Sequence, residues 1–273
     1  MSETPAERCR RYRRRILEIS RQVEAAHVAP AFSCLEMVDC LYHDVMREQD
    51  VFIMSKGHGC LAQYVVLEDV GNLPRAALDA YCKFQDPSAI DAPPSLGAHP
   101  DYAPGIGIHA STGSLGHGLG IAVGQALAEK IKGTGARIYV LLSDGECQEG
   151  STWEAAMVAA NLGLGKLTAL VDANGWGGMD RTDRVSGVFP ALDPLLDKFY
   201  AFGWRGFNFH GHVRMSELIA WLRSNKERDR PQVAVCRTTK GRDVSFIEDG
   251  LPLWHYKSPS AEEYELAMRE LEG

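Results

Sequence analysis

The chain has 273 residues, 45% of them hydrophobic and 24% charged, and a net charge of −7. Its length allows one substantial core or two small ones, while the acid excess argues against a nucleic-acid surface and no apolar run of eighteen residues supports a membrane span or an apolar signal core. Seven scattered cysteines, Cys9, Cys34, Cys40, Cys60, Cys82, Cys147 and Cys236, with no Cys-x-x-Cys pair, exclude a disulfide framework and read as reduced thiols of the cytoplasm.

Residues 1–8 read as a loose end. The basic run Arg8, Arg10, Arg11, Arg13, Arg14 and Arg15 reads as a solvated helix face, continued by Ile16, Ile19 and Val23 at helical spacing. The pattern breaks at Ala26-His27-Val28-Ala29-Pro30 and resumes as a helix with Leu35, Val38, Leu41, Tyr42 and Val45 on one side. Val51-Phe52-Ile53-Met54 is a short strand that ends in Ser55-Lys56-Gly57-His58-Gly59, followed by a helix. A glycine-rich turn between a strand and a helix start offers N–H groups to an anion. Residues 84–111, rich in Pro, Gly and Ala, carry no period, and a loop of that length in a compact domain is usually functional. It contains His99 and leads into Ser111-Thr112-Gly113-Ser114-Leu115-Gly116-His117-Gly118, which opens a helix through Ile131. Gly116, Gly120 and Gly124 leave one face of that helix bare, which permits very close packing.

The centre of the chain is one βαβ unit. The run Arg137–Leu142 is a strand, Ser143-Asp144-Gly145-Glu146 a polar turn and Thr152–Leu162 a helix; Leu167–Asp172 is the next strand and Asn174-Gly175-Trp176 its turn. Both turns therefore fall at the carboxyl ends of parallel strands, the side on which open α/β sheets bind ligands. Asp144 offers a carboxylate oxygen and Asn174 an amide oxygen, which suits a hard cation such as Mg²⁺ or Ca²⁺, and the glycines let backbone approach a phosphate. The physical reading is a divalent-cation–diphosphate site. Beyond it, a polar loop spans 177–190, followed by a helix at 192–202, a strand at 204–209, a helix at 215–224 and a strand at 232–237. The turn Thr238-Thr239-Lys240-Gly241 leads into a long loop with His255 and a closing charged helix, 261–271. The alternation implies a single domain, 1–273, of α/β class: a doubly wound parallel sheet with helices on both faces.

The stretch Ser143-Asp144-Gly145-Glu146-Cys147-Gln148-Glu149-Gly150, with Glu154, Asn161-Leu162-Gly163-Leu164-Gly165-Lys166-Leu167 and Asn174, resembles the thiamine diphosphate motif of the transketolase family. Ser55-Lys56-Gly57-His58 and Thr112-Gly113-Ser114-Leu115-Gly116-His117-Gly118 resemble two further signatures of that family. The resemblance implies the thiamine diphosphate-binding fold, with Mg²⁺ (or Ca²⁺ or Mn²⁺) held by Asp144, Asn174 and the backbone carbonyl of Trp176. It implies cofactor contacts from His58, Thr112, Gly113, Gly116, Asp144, Gly145, Asn174 and His255. It implies substrate-channel roles for His27, His99 and His255, and places Glu149 and Glu154 as buried carboxylates at a subunit interface that couple two cofactor sites. The family usually has Gly at the position of Ser143, and Gly after the histidine matched by His255, where this chain has Tyr256.

The match is to the diphosphate-binding part only. The resemblance therefore implies one half of a split transketolase, which moves a two-carbon ketol unit from a ketose to an aldose, sugar phosphates by class. The partner would be a C-terminal subunit carrying the pyrimidine-binding domain and its activating Glu, in a heterotetramer, with no nucleic acid or membrane involved. Two alternatives share the pocket: the same chemistry on a specialised non-pentose sugar, or a cofactor-binding regulatory subunit without turnover.

Overall fold

The computed structural model describes residues 3–83, 96–182, 193–210, 215–224 and 229–272. Its elements in chain order are α1 (Pro5–Ser20), α2 (Val28–Cys40), β1 (Val51–Met54), α3 (Cys60–Asp69), α4 (Arg75–Asp79), α5 (Gly118–Lys132), β2 (Ile138–Ser143), α6 (Gly150–Asn161), β3 (Leu167–Ala173), α7 (Leu195–Ala201), β4 (Arg205–His210), α8 (Met215–Ser224), β5 (Gln232–Arg237), α9 (Ser245–Asp249) and α10 (Ala261–Glu272). The parts of the expected loops at 84–95 and 183–190, and the expected helix start at 192, lie outside the described residues. Two compact units divide the chain: a sheet unit, His43–Lys56 and Thr112–Thr238, and a helical unit, Met1–Tyr42, Gly57–Ser111 and Thr239–Gly273.

The sheet unit holds five parallel strands in the order β1-β2-β3-β5-β4. Every residue of β2 and β3 is buried, the continuous apolar signature of parallel strands covered on both faces. Helix α5 lies against β1, β2, β3 and α6, and α7 lies against β4 and β5. The step from β4 back to β5 runs opposite to the steps from β1 to β3, so a right-handed crossover puts α8 on the other face. Trp221 of α8 accordingly packs its ring on Phe207 and Phe209, with centroids 6.0 and 5.6 Å apart. The fold is the expected α/β parallel sheet.

In the helical unit, the expected loose end is corrected at residues 5–8, which form the first turn of α1. The cause is local: Thr4 and Glu7 form a reciprocal capping box and Pro5 stands in the first turn, so two otherwise orphaned donors are satisfied. The basic run is also not simply solvated. Arg13 is 1% exposed and bonds Glu36 of α2, with Asp243 also in reach. Arg8 grips Asp39 through two nitrogens, and Arg15 grips Glu68 likewise while also bonding Asp79. Carboxylates on α2, α3 and α4 thus draw Arg8, Arg13 and Arg15 inward, and the fork of guanidinium suits such paired burial better than an ammonium.

Candidate active site

The site residues fall into two groups, one in each unit. In the sheet unit, Asp144 follows β2 and is 4% exposed. Its Oδ2 accepts the Gly175 N–H and the Thr182 hydroxyl, each at 2.7 Å, and its Oδ1 accepts the Gly145 N–H at 2.9 Å. Burial pushes the Asp144 carboxyl up to about 6 and the charge of Asp172 pushes the same way, against the three hydrogen bonds. An adjoining cation opposes that rise, which is the first respect in which the site fits a metal. The second is the donor set: the Gly175 bond ties Asp144 directly to the turn that carries Asn174, so a carboxylate and an amide are brought together from two strand ends. A hard divalent cation takes this oxygen-only chemistry. Among the described residues no group of three or more His, Cys, Asp or Glu side chains forms a metal cluster, as the Asp–Asn–carbonyl set requires none.

Asn174 is held by both ends of its amide. Its Nδ2 donates to Asp172 at 3.0 Å, and its Oδ1 accepts the Trp176 N–H at 3.0 Å. The bond to Asp172 therefore decides which end of the amide is oxygen on the Trp176 side. Asp172 is itself fully buried, paired with fully buried Lys56 and hydrogen-bonded by the Thr238 hydroxyl. One carboxylate thus links the ends of β1, β3 and β5. Removing one partner of such a pair leaves an uncompensated buried charge, at a cost of about 3–5 kcal/mol.

Glu146 makes a second knot two residues beyond Asp144. It is 0% exposed and accepts the Ser55 hydroxyl, the Gly116 N–H at 2.9 Å and the Ser143 N–H at 3.3 Å. In return the Ser143 hydroxyl accepts the Glu146 N–H at 3.1 Å. Ser143 is therefore accommodated as a partner of Glu146. Burial raises the Glu146 carboxyl above its ordinary value, and these donors oppose the rise. Three turns that follow β1, precede α5 and follow β2 meet on this side chain. Their packing is close: a Cβ at Gly116, where φ is +83°, would lie 2.5 Å from Ser151 Oγ, and one at Gly118 would lie 2.1 Å from Ser55 Oγ. Thr112 is fixed by donating its hydroxyl to Met54 O at 2.6 Å.

In the helical unit, the structure brings four histidines together from four separate segments. The His27 ring lies 5.8 Å from His58, 5.4 Å from His99 and 5.5 Å from His255, and His58 lies 5.2 Å from His255. Tyr64 of α3 donates to the carbonyl of His99 at 3.2 Å, which anchors the loop that carries it. A backbone bridge pairs His27 with Lys257, bringing the 253–257 turn to the start of α2. Burial holds the His99 imidazole below its ordinary value, with Asp101 opposing. The ring of Tyr256 stands 4.4 Å from His27 and is 53% exposed.

Sequence reasoning missed four residues as parts of the site: Lys56, Asp172 and Glu146 in the sheet unit, and Lys240 in the helical unit, 2% exposed with Nζ 2.8 Å from His255 Nδ1. Each stands in a turn or strand end already visible in the sequence, and the signal was a charged residue inside an otherwise apolar or glycine-rich context. Glu149 and Glu154, expected as carboxylates buried at a subunit interface, are exposed on this chain alone, whereas Asp144 and Glu146 of that segment are buried within it. Gly120 and Gly124 have nothing within 4 Å of a built Cβ, so the bare face of α5 serves no internal packing among the described residues.

A parallel α/β sheet carrying an acidic, glycine-lined turn at the carboxyl ends of β2 and β3 defines a ligand-binding domain of the diphosphate-cofactor type. The chain belongs to the transketolase family: residues 21–251 match the transketolase thiamine diphosphate binding domain. It is similar to one of the named subunits of the apulose-4-phosphate transketolase of Phocaeicola vulgatus, 36% identical over 95% of this chain and 90% of that one. It is similar also to the 6-deoxy-6-sulfo-D-fructose transketolase subunit SqwG of a Clostridium species, 32% identical over 95% of this chain and 93% of that one. Among solved structures, transketolase from Leishmania mexicana superposes with a TM-score of 0.83 at 23% identity, which supports the fold. There the match covers 100% of this chain but 42% of the Leishmania chain.

Proposed function

We propose that this chain is the diphosphate-binding subunit of a split, two-chain transketolase that moves a two-carbon ketol unit from a ketose to an aldose. The observation that carries the reading is the Asp144–Gly175 bond, which joins a buried carboxylate to the turn of Asn174. In this reading Asp144, Asn174 and the Trp176 carbonyl hold Mg²⁺, or Ca²⁺ or Mn²⁺. Thr112, Gly113, Gly116, Gly145 and His58 hold the diphosphate, and His255 contributes to both cofactor and substrate. Asp172 orients Asn174, and Glu146 keeps the turns of Ser55, Gly116 and Ser143 in register. Thiamine diphosphate, when bound, supplies the electron sink for ketol transfer. His27, His99 and His255 bind and orient the hydroxyls of the sugar, and their ring nitrogens hold or pass protons at those oxygens. Glu149 and Glu154, exposed on this chain, face a second copy in the assembly.

Support for a two-chain enzyme comes from relatives named as subunits, which align with this chain over 90% and 93% of their lengths. The bare face of α5, with exposed Ile121 beside it and exposed Met157 and Val158 on α6, suits a second copy, giving two of each chain in a cytoplasmic heterotetramer. The partner contributes the pyrimidine-binding domain and its activating Glu. The test is reconstitution: ketol transfer is assayed with this chain alone and with a candidate C-terminal subunit. Activity only in the mixture supports the reading, and full activity from the single chain overturns it.

A second reading concerns the substrate. The Tyr256 ring stands 4.4 Å from His27, which favours a specialised sugar over xylulose 5-phosphate, in keeping with the apulose 4-phosphate and 6-deoxy-6-sulfo-D-fructose in the relatives' names. Comparing turnover of such sugars with that of xylulose 5-phosphate decides it. Thiamine diphosphate binding without turnover in the reconstituted complex would instead identify a regulatory subunit.

A further inference from the structure

Lys240 sits in the turn after β5, 2% exposed, with its Nζ 2.8 Å from Nδ1 of His255. The turn is fixed by its own backbone, since Gly241 N–H donates to Ala29 O at 3.2 Å at the start of α2. An ammonium has three N–H donors and no lone pair, so the nitrogen facing it must accept. Facing an ammonium, Nδ1 of His255 must therefore be bare, and a neutral ring then carries its single proton on Nε2.

We propose that Lys240 is a positioning residue: it fixes His255 as the Nε2–H tautomer and holds the ring neutral, so that His255 meets its ligand as a hydrogen-bond donor. Protonating Nδ1 would remove the acceptor and set two cations in direct contact. The other titratable groups facing the ring push in the same direction. His27 and His58 stand 5.5 and 5.2 Å away, and a charge on either ring would disfavour a second charge on His255. Lys257 is engaged elsewhere, over the Trp254 ring and with Glu263. An N–H donor of this kind takes an oxygen, either a sugar hydroxyl or an anionic phosphate oxygen; that assignment of ligand rests on the function proposed above, while the tautomer does not.

The test is the ¹⁵N-labelled full chain, followed by long-range proton–nitrogen spectra of the histidine rings between about pH 8 and pH 5, where an ordinary imidazole changes charge. His255→Gln assigns the signal. The expected wild-type result is a bare Nδ1, a protonated Nε2 and no titration across that range. Lys240→Met is expected to give mixed tautomers and a titration near the ordinary value of about 6.5, whereas Lys240→Arg, whose guanidinium also only donates, keeps Nδ1 bare. A wild-type His255 protonated at Nδ1, or titrating near the ordinary value of about 6.5, overturns the proposal, as does a Lys240→Met spectrum identical to wild type. The wild-type spectrum decides even where Lys240→Met does not fold. No cofactor is added, so failure of the thiamine diphosphate reading leaves this result intact.

Discussion

The two groups of site residues are built on different physical terms. In the sheet unit, Asp144, Glu146 and Asp172 are buried carboxylates, each accepting donors from two or three separate turns. In the helical unit, the histidines His27, His58, His99 and His255 pack as rings, and an anchoring bond such as that of Tyr64 reaches the backbone of the cluster. The difference teaches a division of labour. On the proposed reading, the group that meets the charge of a diphosphate and a cation is held rigid by charge-assisted bonds, because each buried carboxylate left unpaired is costly. The group that, on the same reading, meets neutral hydroxyls is instead made of rings whose nitrogens each donate or accept a single hydrogen bond.

Breaking the sheet-unit group is expected to have the largest effects. Asp144→Ala lowers Mg²⁺-dependent thiamine diphosphate affinity by more than about 100-fold, beyond the 10–100-fold typical of outer-shell changes, as measured by calorimetric titration. Asp172→Ala strands Lys56 and is expected to cost about 3–5 kcal/mol in urea denaturation, together with about 10–100-fold in metal affinity as Asn174 loses its orientation. In the helical unit the effects shrink. His58→Ala removes one hydrogen bond to a charged group, roughly 1.5–3 kcal/mol of cofactor affinity, with stability unchanged. Ser143→Gly, back in the sheet unit, withdraws the acceptor for Glu146 N–H and is expected to cost about 1 kcal/mol of stability while leaving cofactor affinity in place. Smallest is Gly124→Leu on the open face of α5: the chain's own stability rises by about 0.5–1 kcal/mol, as a helix-interior glycine is replaced, whereas light scattering shows loss of self-association.

Legibility in the sequence follows the same divide. The strands were readable because β2 and β3 are continuous apolar runs, and the spacing of their polar turns alone put Asp144 and Asn174 on one side of the sheet. Lys56, Glu146 and Asp172 were visible as letters but not as a network, since Lys56 and Asp172 are 116 positions apart, and Ser55 and Glu146 are 91 apart. The histidine cluster shows no spacing rule at all. Its members come from a helix start, a tight turn, a long loop and a second turn, so only the family resemblance named them. The arginines of α1 misled because charge alone cannot say whether carboxylates on α2, α3 and α4 wait to receive them; Arg13 is buried where Glu36, Asp243 and the Phe32 carbonyl meet it.

The most direct test of the account is thiamine diphosphate titrated into the full-length chain, with and without Mg²⁺, for wild type, Asp144→Ala and Asn174→Ala. The account predicts saturable binding by the wild type only when the cation is present, and its loss in both variants. Equal binding without the cation, or retention of affinity by both folded variants, would contradict it.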